Sequence, residues 1–212
     1  MAPRRPARGF TLVEVLVALV VMAIMSLMAW QGIDGIARTR EANQVRLEQA
    51  LRLETVVSQW ELDLASLQES TAVPALTCDG QSVRLTRRAE GGLQVVAWSL
   101  RPGDNGSTWQ RWAGPAVTTT TALQESWLRT QQFQGGEPGQ LRALSGLEQW
   151  QVYFFQGNAW SNCQSTGNFD AAASGVAAPQ RQALPAGVRL VLGFLPGSGL
   201  NGSLVRDSLI AP

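Results

Sequence analysis

Phe10 to Trp30 reads FTLVEVLVALVVMAIMSLMAW. At about 1.5 Å of rise per residue, a helix of this length covers roughly 30 Å, the thickness of a bilayer hydrocarbon core. Before it stands MAPRRPARG, Met1 to Gly9, with Arg4, Arg5 and Arg8 and no acid. That charge bias predicts a cytoplasmic N-terminal end, and Trp30 sits at the far boundary, where an interfacial aromatic belongs. The apolar run exceeds the ~7–15 residues of an ordinary secretory signal core. The small-residue site around Ala29 also has Leu27 where a small side chain is wanted. The stretch therefore predicts an anchor that stays in the protein.

Glu14 is the exception inside that anchor. A carboxylate at the centre of a membrane helix costs about 2.5–3.5 kcal/mol on insertion scales, and less near an end. Two readings compensate it. Thr11-Leu12-Val13-Glu14 fits the S/T-x-x-E capping box, in which the glutamate accepts a free N–H at the helix start. The second reading uses more of the sequence. Gly9-Phe10-Thr11-Leu12-Val13-Glu14, after a short basic leader, resembles the prepilin cleavage motif of type IV pilins and type II secretion pseudopilins.

The resemblance implies that a membrane aspartyl prepilin peptidase cuts after Gly9 and N-methylates Phe10, leaving Glu14 as the fifth mature residue. Methylation keeps the positive charge of the Phe10 amine. A Glu14 carboxylate in low dielectric can take the amine of a neighbouring subunit, a pair formed only in one register. Register setting is the best-attested use of a buried ion pair.

Beyond the anchor no proline occurs between Pro6 and Pro74. Leu53, Val56, Val57, Trp60, Leu64 and Leu67 recur as one apolar helical stripe between charged residues such as Arg46, Glu48, Arg52 and Glu54. One long helix is predicted to about Glu69, with Gly32 and Gly35 as weak points costing about 1 kcal/mol each relative to alanine. After Pro74, Gly, Pro, Ser, Thr and Asn punctuate short apolar runs, the texture of antiparallel strands. Gln81–Arg87 and Leu93–Leu100 flank Ala89-Glu90-Gly91-Gly92 as a hairpin. Trp150, Val152 and Phe154 alternate along one strand, and Val188, Leu190, Leu192 and Phe194 along another. Ser203–Ile210 reads as a last strand. Trp112–Thr130 and Gly157–Pro179 read as excursions, the second as a long loop.

The expected fold is thus α+β and pilin-like, a long N-terminal helix packed on a C-terminal antiparallel sheet. Its parts are a cleaved leader (1–9), a transmembrane half-helix (10–30), a periplasmic amphipathic half-helix (31–70) and a β-rich periplasmic domain (75–212). Three segments in order carry a closer likeness: Gln59-Trp60-Glu61-Leu62-Asp63-Leu64, then Leu144 to Phe154 before Trp160, then Leu184-Pro185-Ala186-Gly187-Val188-Arg189-Leu190. This order looks like the J-type minor pseudopilin of type II secretion, and the W-type minor pilin of type IV pili is similar. The long middle excursions depart from compact J-type subunits. The resemblance implies a single-pass protein of the bacterial inner membrane. Its implied partners are prepilin peptidase, other minor and major pseudopilins or pilins, and secreted substrate proteins.

Composition narrows the alternatives. The chain has 212 residues, 17 basic and 16 acidic side chains and no histidine. The balance offers no basic surplus for nucleic acid. Without histidine there is no Ser-His-Asp or Cys-His constellation, and no GxGxxG, Walker A or HExxH motif occurs. A membrane-anchored periplasmic enzyme is the rival class, yet no catalytic residue, cofactor or metal site is predicted. Glu61 and Asp63, two apart, share no helix face and read as solvated carboxylates. Asp104, Asn105, Asn168 and Asp170 are the candidate oxygen ligands for calcium, which some pseudopilins bind, but no spacing singles them out. Asn105-Gly106-Ser107 and Asn201-Gly202-Ser203 match glycosylation sequons and read more simply as turns. Cys78 and Cys163 would form one disulfide in an oxidising compartment, or else remain two buried thiols. Trp98 and Trp150 read as core, while Trp109, Trp112, Trp127 and Trp160 read equally as core or as a partner surface.

Overall fold

The computed structural model describes residues 10–133, 136–163 and 184–210. Gly9, the leader arginines, Asn168 and Asp170 lie outside the described residues. The chain divides into two compact units, Met1–Leu47 and Glu48–Pro212. One helix, α1 (Leu12–Ala65), contributes to both. The second unit adds β1 (Leu76–Cys78), β2 (Ser82–Ala89), β3 (Gly92–Arg101), β4 (Ser107–Ala113), α2 (Thr120–Gln131), β5 (Gln140–Gln156), β6 (Ala159–Asn162), β7 (Gly187–Phe194) and β8 (Ser203–Leu209). All strands pair antiparallel in the order β1-β2-β3-β4-β5-β7-β8, with β6 on the C-terminal end of β5. This is the expected α+β architecture.

The apolar stripe of α1 does what its spacing predicts. Val57, Trp60 and Leu64 are buried, and Leu53, Val56 and Leu67 pack at the margin of the same core. The helix stops at Ala65 rather than near Glu69 because β2 captures the chain. Gln68 donates its N–H to the Thr86 carbonyl at 2.9 Å, and Arg88 donates to the Ser66 carbonyl at 2.8 Å. Opposite α1, the inward positions Val83, Leu85, Val96, Trp98, Trp109, Leu147, Val152, Phe154, Val188, Leu190 and Leu192 close the core. Trp60, Trp98 and Trp109 meet there with ring centroids 4.3 to 5.6 Å apart.

The β2–β3 hairpin forms where expected. Ala89 pairs with Gly92 across Glu90-Gly91, and Gly91 takes the left-handed φ of +88°. At Gly92 a Cβ would stand 2.3 Å from the Val117 carbonyl oxygen, because Val117 bridges back to Leu93. The strands over Trp150–Phe154, Val188–Phe194 and Ser203–Leu209 also form as read.

The excursion expected over Trp112–Thr130 is instead the end of β4 followed by α2. Thr119 caps α2, accepting the Ala122 N–H on its side chain. Leu123 and Trp127 then pack with Val95, Ala97, Trp112 and Val73 on the sheet face away from α1. β3 is therefore covered on both faces, and Val95 to Ser99 are buried without interruption. Within the expected loop Gly157–Pro179, Ala159–Asn162 forms β6, while 164–183 lies outside the described residues.

Asp63 departs most from expectation. It is fully buried rather than solvated. Arg111 donates Nε to Oδ2 at 2.8 Å and Nη2 to Oδ1 at 2.9 Å. Arg87 Nη1 and Gln59 Nε2 donate to Oδ1 at 2.9 and 3.0 Å, and Trp98 Nε1 donates to Oδ2 at 2.9 Å. One helix carboxylate thus ties together β2, β3 and β4. Glu61 points elsewhere and pairs with Arg206 on β8.

Cys78, ending β1, and Cys163, just past β6, form a disulfide with Cα atoms 5.8 Å apart and both residues buried. Trp98, Trp109, Trp112, Trp127 and Trp150 are buried, and Trp160 sits at the surface. Trp160 stacks on Phe155 and carries the Arg189 guanidinium 4.3 Å above its ring.

Candidate functional site

The residues singled out by sequence converge at the start of α1. Phe10 precedes the helix and is 88% exposed. Thr11 caps it, and the reciprocal hydrogen bonds of a capping box are present. Glu14 Oε2 accepts the Thr11 N–H and the Thr11 hydroxyl, each at 2.9 Å, and the Glu14 N–H donates to Thr11 Oγ1 at 3.3 Å. These bonds satisfy orphan groups at the helix start. All of them use Oε2. Oε1 has no hydrogen-bond partner among the described residues and is exposed.

From Leu12 onward the helix is apolar on every side. Leu12, Leu16, Leu19, Met22, Met25, Met28 and Trp30 are all more than half exposed, and so are Val13, Val17, Val20 and Leu27 on other faces. A helix that is apolar all round belongs in a core or in lipid. None of this segment is buried in its own chain, and α1 is long and apolar enough to cross a membrane. Ser26, the polar residue midway, donates its hydroxyl to the Met22 carbonyl at 2.8 Å and so adds no unsatisfied donor. Polar character returns at Asp34, which pairs with Arg38 one turn on at 2.6 Å.

The rest of the chain offers little for catalysis. Among the described residues no group of three or more His, Cys, Asp or Glu side chains could hold a metal ion. Asp104 and Asn105 form the turn between β3 and β4. Asp63, the buried carboxylate that sequence reasoning missed, has each oxygen held by donors of its own fold, so it acts as a structural tie.

Residues 4–30 match the family model described as the prokaryotic N-terminal methylation motif. No curated protein matches the chain. The match spans Phe10 and Glu14 and most of the apolar helix, and it belongs to a class of structural proteins rather than enzymes. Together with the exposed apolar helix it supports anchoring in a membrane through α1. With a type IV pilin-like prepilin signal on a long helix packed against an antiparallel sheet, the chain has the signal and the fold that support a place in the pilin and pseudopilin family.

Proposed function

We propose that this chain is a minor pseudopilin of a type II secretion system. It is inserted in the inner membrane with its C-terminal unit in the periplasm and is cleaved after Gly9 by prepilin peptidase. It is then methylated on Phe10 and assembled with other pseudopilins at the tip of the filament that drives protein export. The observation that carries this reading is the Glu14 carboxylate. One oxygen is taken by the helix cap, and the other is open on a helix that is otherwise apolar. Capping and assembly are therefore compatible: Oε2 keeps Thr11, and Oε1 receives the Phe10 amine of the next subunit. Lipid or packed helices exclude water there, which strengthens the pair and fixes its register. The Cys78–Cys163 disulfide fits an oxidising compartment such as the periplasm.

Intact-mass analysis of the membrane-extracted protein tests processing. The mature chain should begin at Phe10 and carry one added methyl group, and Gly9→Arg should retain the leader. A Gly9→Arg chain that still begins at Phe10 would refute the assignment. Affinity purification from envelopes then separates two destinations, since recovery with pilins rather than pseudopilins would place the chain in type IV pilus assembly.

A further inference from the structure

We propose that β8 is an association edge, and that it pairs antiparallel with β8 of a second copy about a two-fold axis through Val205. The inference is independent of the anchor reading. The sheet ends at β1 on one side and at β8 on the other. β1 has three residues, too short to template another strand, whereas β8 has seven. The register of β8 on β7 decides which of its groups are free. Phe194 donates to the Gly202 carbonyl and Ile210 to the Ala186 carbonyl. The even-numbered residues of β8 therefore face β7 with their main-chain groups, and Ser203, Val205, Asp207 and Leu209 turn theirs outward.

Natural sheets blunt such edges with charge, proline or bulges. β8 has no proline, and its register on β7 runs without a shift. Its two charges are both held by its own fold. Asp207 accepts Nε and Nη2 of Arg189 at 2.7 Å each, and Arg206 pairs with Glu61 on α1. What the edge shows to solvent is Val205, 54% exposed, and Leu209, 88% exposed. An uncharged row of unpaired N–H and C=O groups beside exposed aliphatic side chains calls for another strand.

The side chains choose the register. With Val205 opposite its own copy, an apolar pair lies on the axis, and Ser203 faces Asp207 of the second copy on either side. That arrangement offers a hydroxyl donor to a carboxylate and about six main-chain hydrogen bonds. Centring the axis one residue later would instead set Val205 against Asp207 and Ser203 against Leu209, pairing polar with apolar at every position. A two-fold edge of this kind is isologous and closes at the dimer.

Cysteine scanning of the full chain in detergent micelles tests the register. Under mild oxidation Val205→Cys should form a covalent dimer. Ser203→Cys and Asp207→Cys should each stay monomeric alone but link when mixed, with at least a tenfold preference over either alone. Val205→Pro supplies the second arm. The Val205 N–H points away from β7, so proline removes an outward donor and leaves the ladder intact. Its dimer fraction by mass photometry should fall at least tenfold, with the circular dichroism unchanged. A monomer at all concentrations, or equal cross-linking at 203, 205 and 207, would overturn the proposal. So would a dimer that survives Val205→Pro, which would then be held by the apolar helix.

Discussion

Arg111 on β4 grips Asp63 on α1 with both arms of its guanidinium, at 2.8 and 2.9 Å, although 48 residues separate them. The carboxylate is fully buried, and the Arg111 side chain is only 12% exposed. Removing one partner of such a pair leaves a buried charge uncompensated, at a cost of about 3–5 kcal/mol. Asp63→Asn should destabilise the chain by that order in urea denaturation, because Arg111 and Arg87 would both lose their counter-charge. Arg87→Gln should cost less, since Asp63 keeps Arg111. Equal midpoints for Asp63→Asn and the parent would contradict this account.

Glu14→Gln keeps an oxygen acceptor for Thr11 but removes the negative charge. The helix should insert and be cleaved, while recovery with partner subunits should fall steeply. Thr11→Ala is the complementary change. It removes the capping hydroxyl at about 0.5–2 kcal/mol of local helix stability and should leave recovery intact. Unimpaired recovery of Glu14→Gln would show that the carboxylate serves only the cap.

The Cys78–Cys163 bond spans 85 residues of chain. Closing a loop of that length stabilises by up to ~4–5 kcal/mol in the chain-entropy model. The paired Cys78→Ser, Cys163→Ser variant should unfold at clearly lower denaturant, and non-reducing peptide mapping of protein from the envelope should recover the linked peptides. Two free thiols in that protein would remove the bond from the account.

Asp207 carries a pH signature. Its hydrogen bonds from Arg189 hold its carboxyl below the usual value of 3.8. A depressed folded-state pKa means that the stability it contributes is present above the unfolded value and is lost as pH falls through the folded one. The loss therefore belongs below about pH 4. It should be small, because both side chains are substantially exposed to water. Carboxyl carbon shifts should place the Asp207 midpoint below that of a free aspartate, and Arg189→Met should return it upward.

Much of this architecture is legible in the residues themselves. The α1 stripe, the Glu90-Gly91 turn and the alternation over Trp150–Phe154 and Val188–Phe194 each read directly, because one face is buried and the other is not. β4 hides its nature for a physical reason. Trp109 and Arg111 face α1 while Trp112 faces α2, so its pattern mixes a charge inward with an aromatic outward. α2 has two buried large apolar residues, Leu123 and Trp127, and its clearest advance sign was the Thr119 cap. Asp63 was beyond reach, since a carboxylate reads as buried only when its donors are known, and these lie 24, 35 and 48 residues away. At the anchor the cleavage motif was plain in sequence, whereas the division of labour between the two oxygens of Glu14 required atomic positions.

β3, walled by α1 on one face and by α2 on the other, also has a consequence in time. Both of its edges are hydrogen-bonded, to β2 and to β4. No local fraying brings water to its centre, so deuterium can enter the amides of Val95 to Ser99 only when a large part of the sheet opens together. These amides should exchange last in the molecule, and their rate would report the opening free energy of the whole second unit, while the amides of β8 turned away from β7 exchange within the dead time.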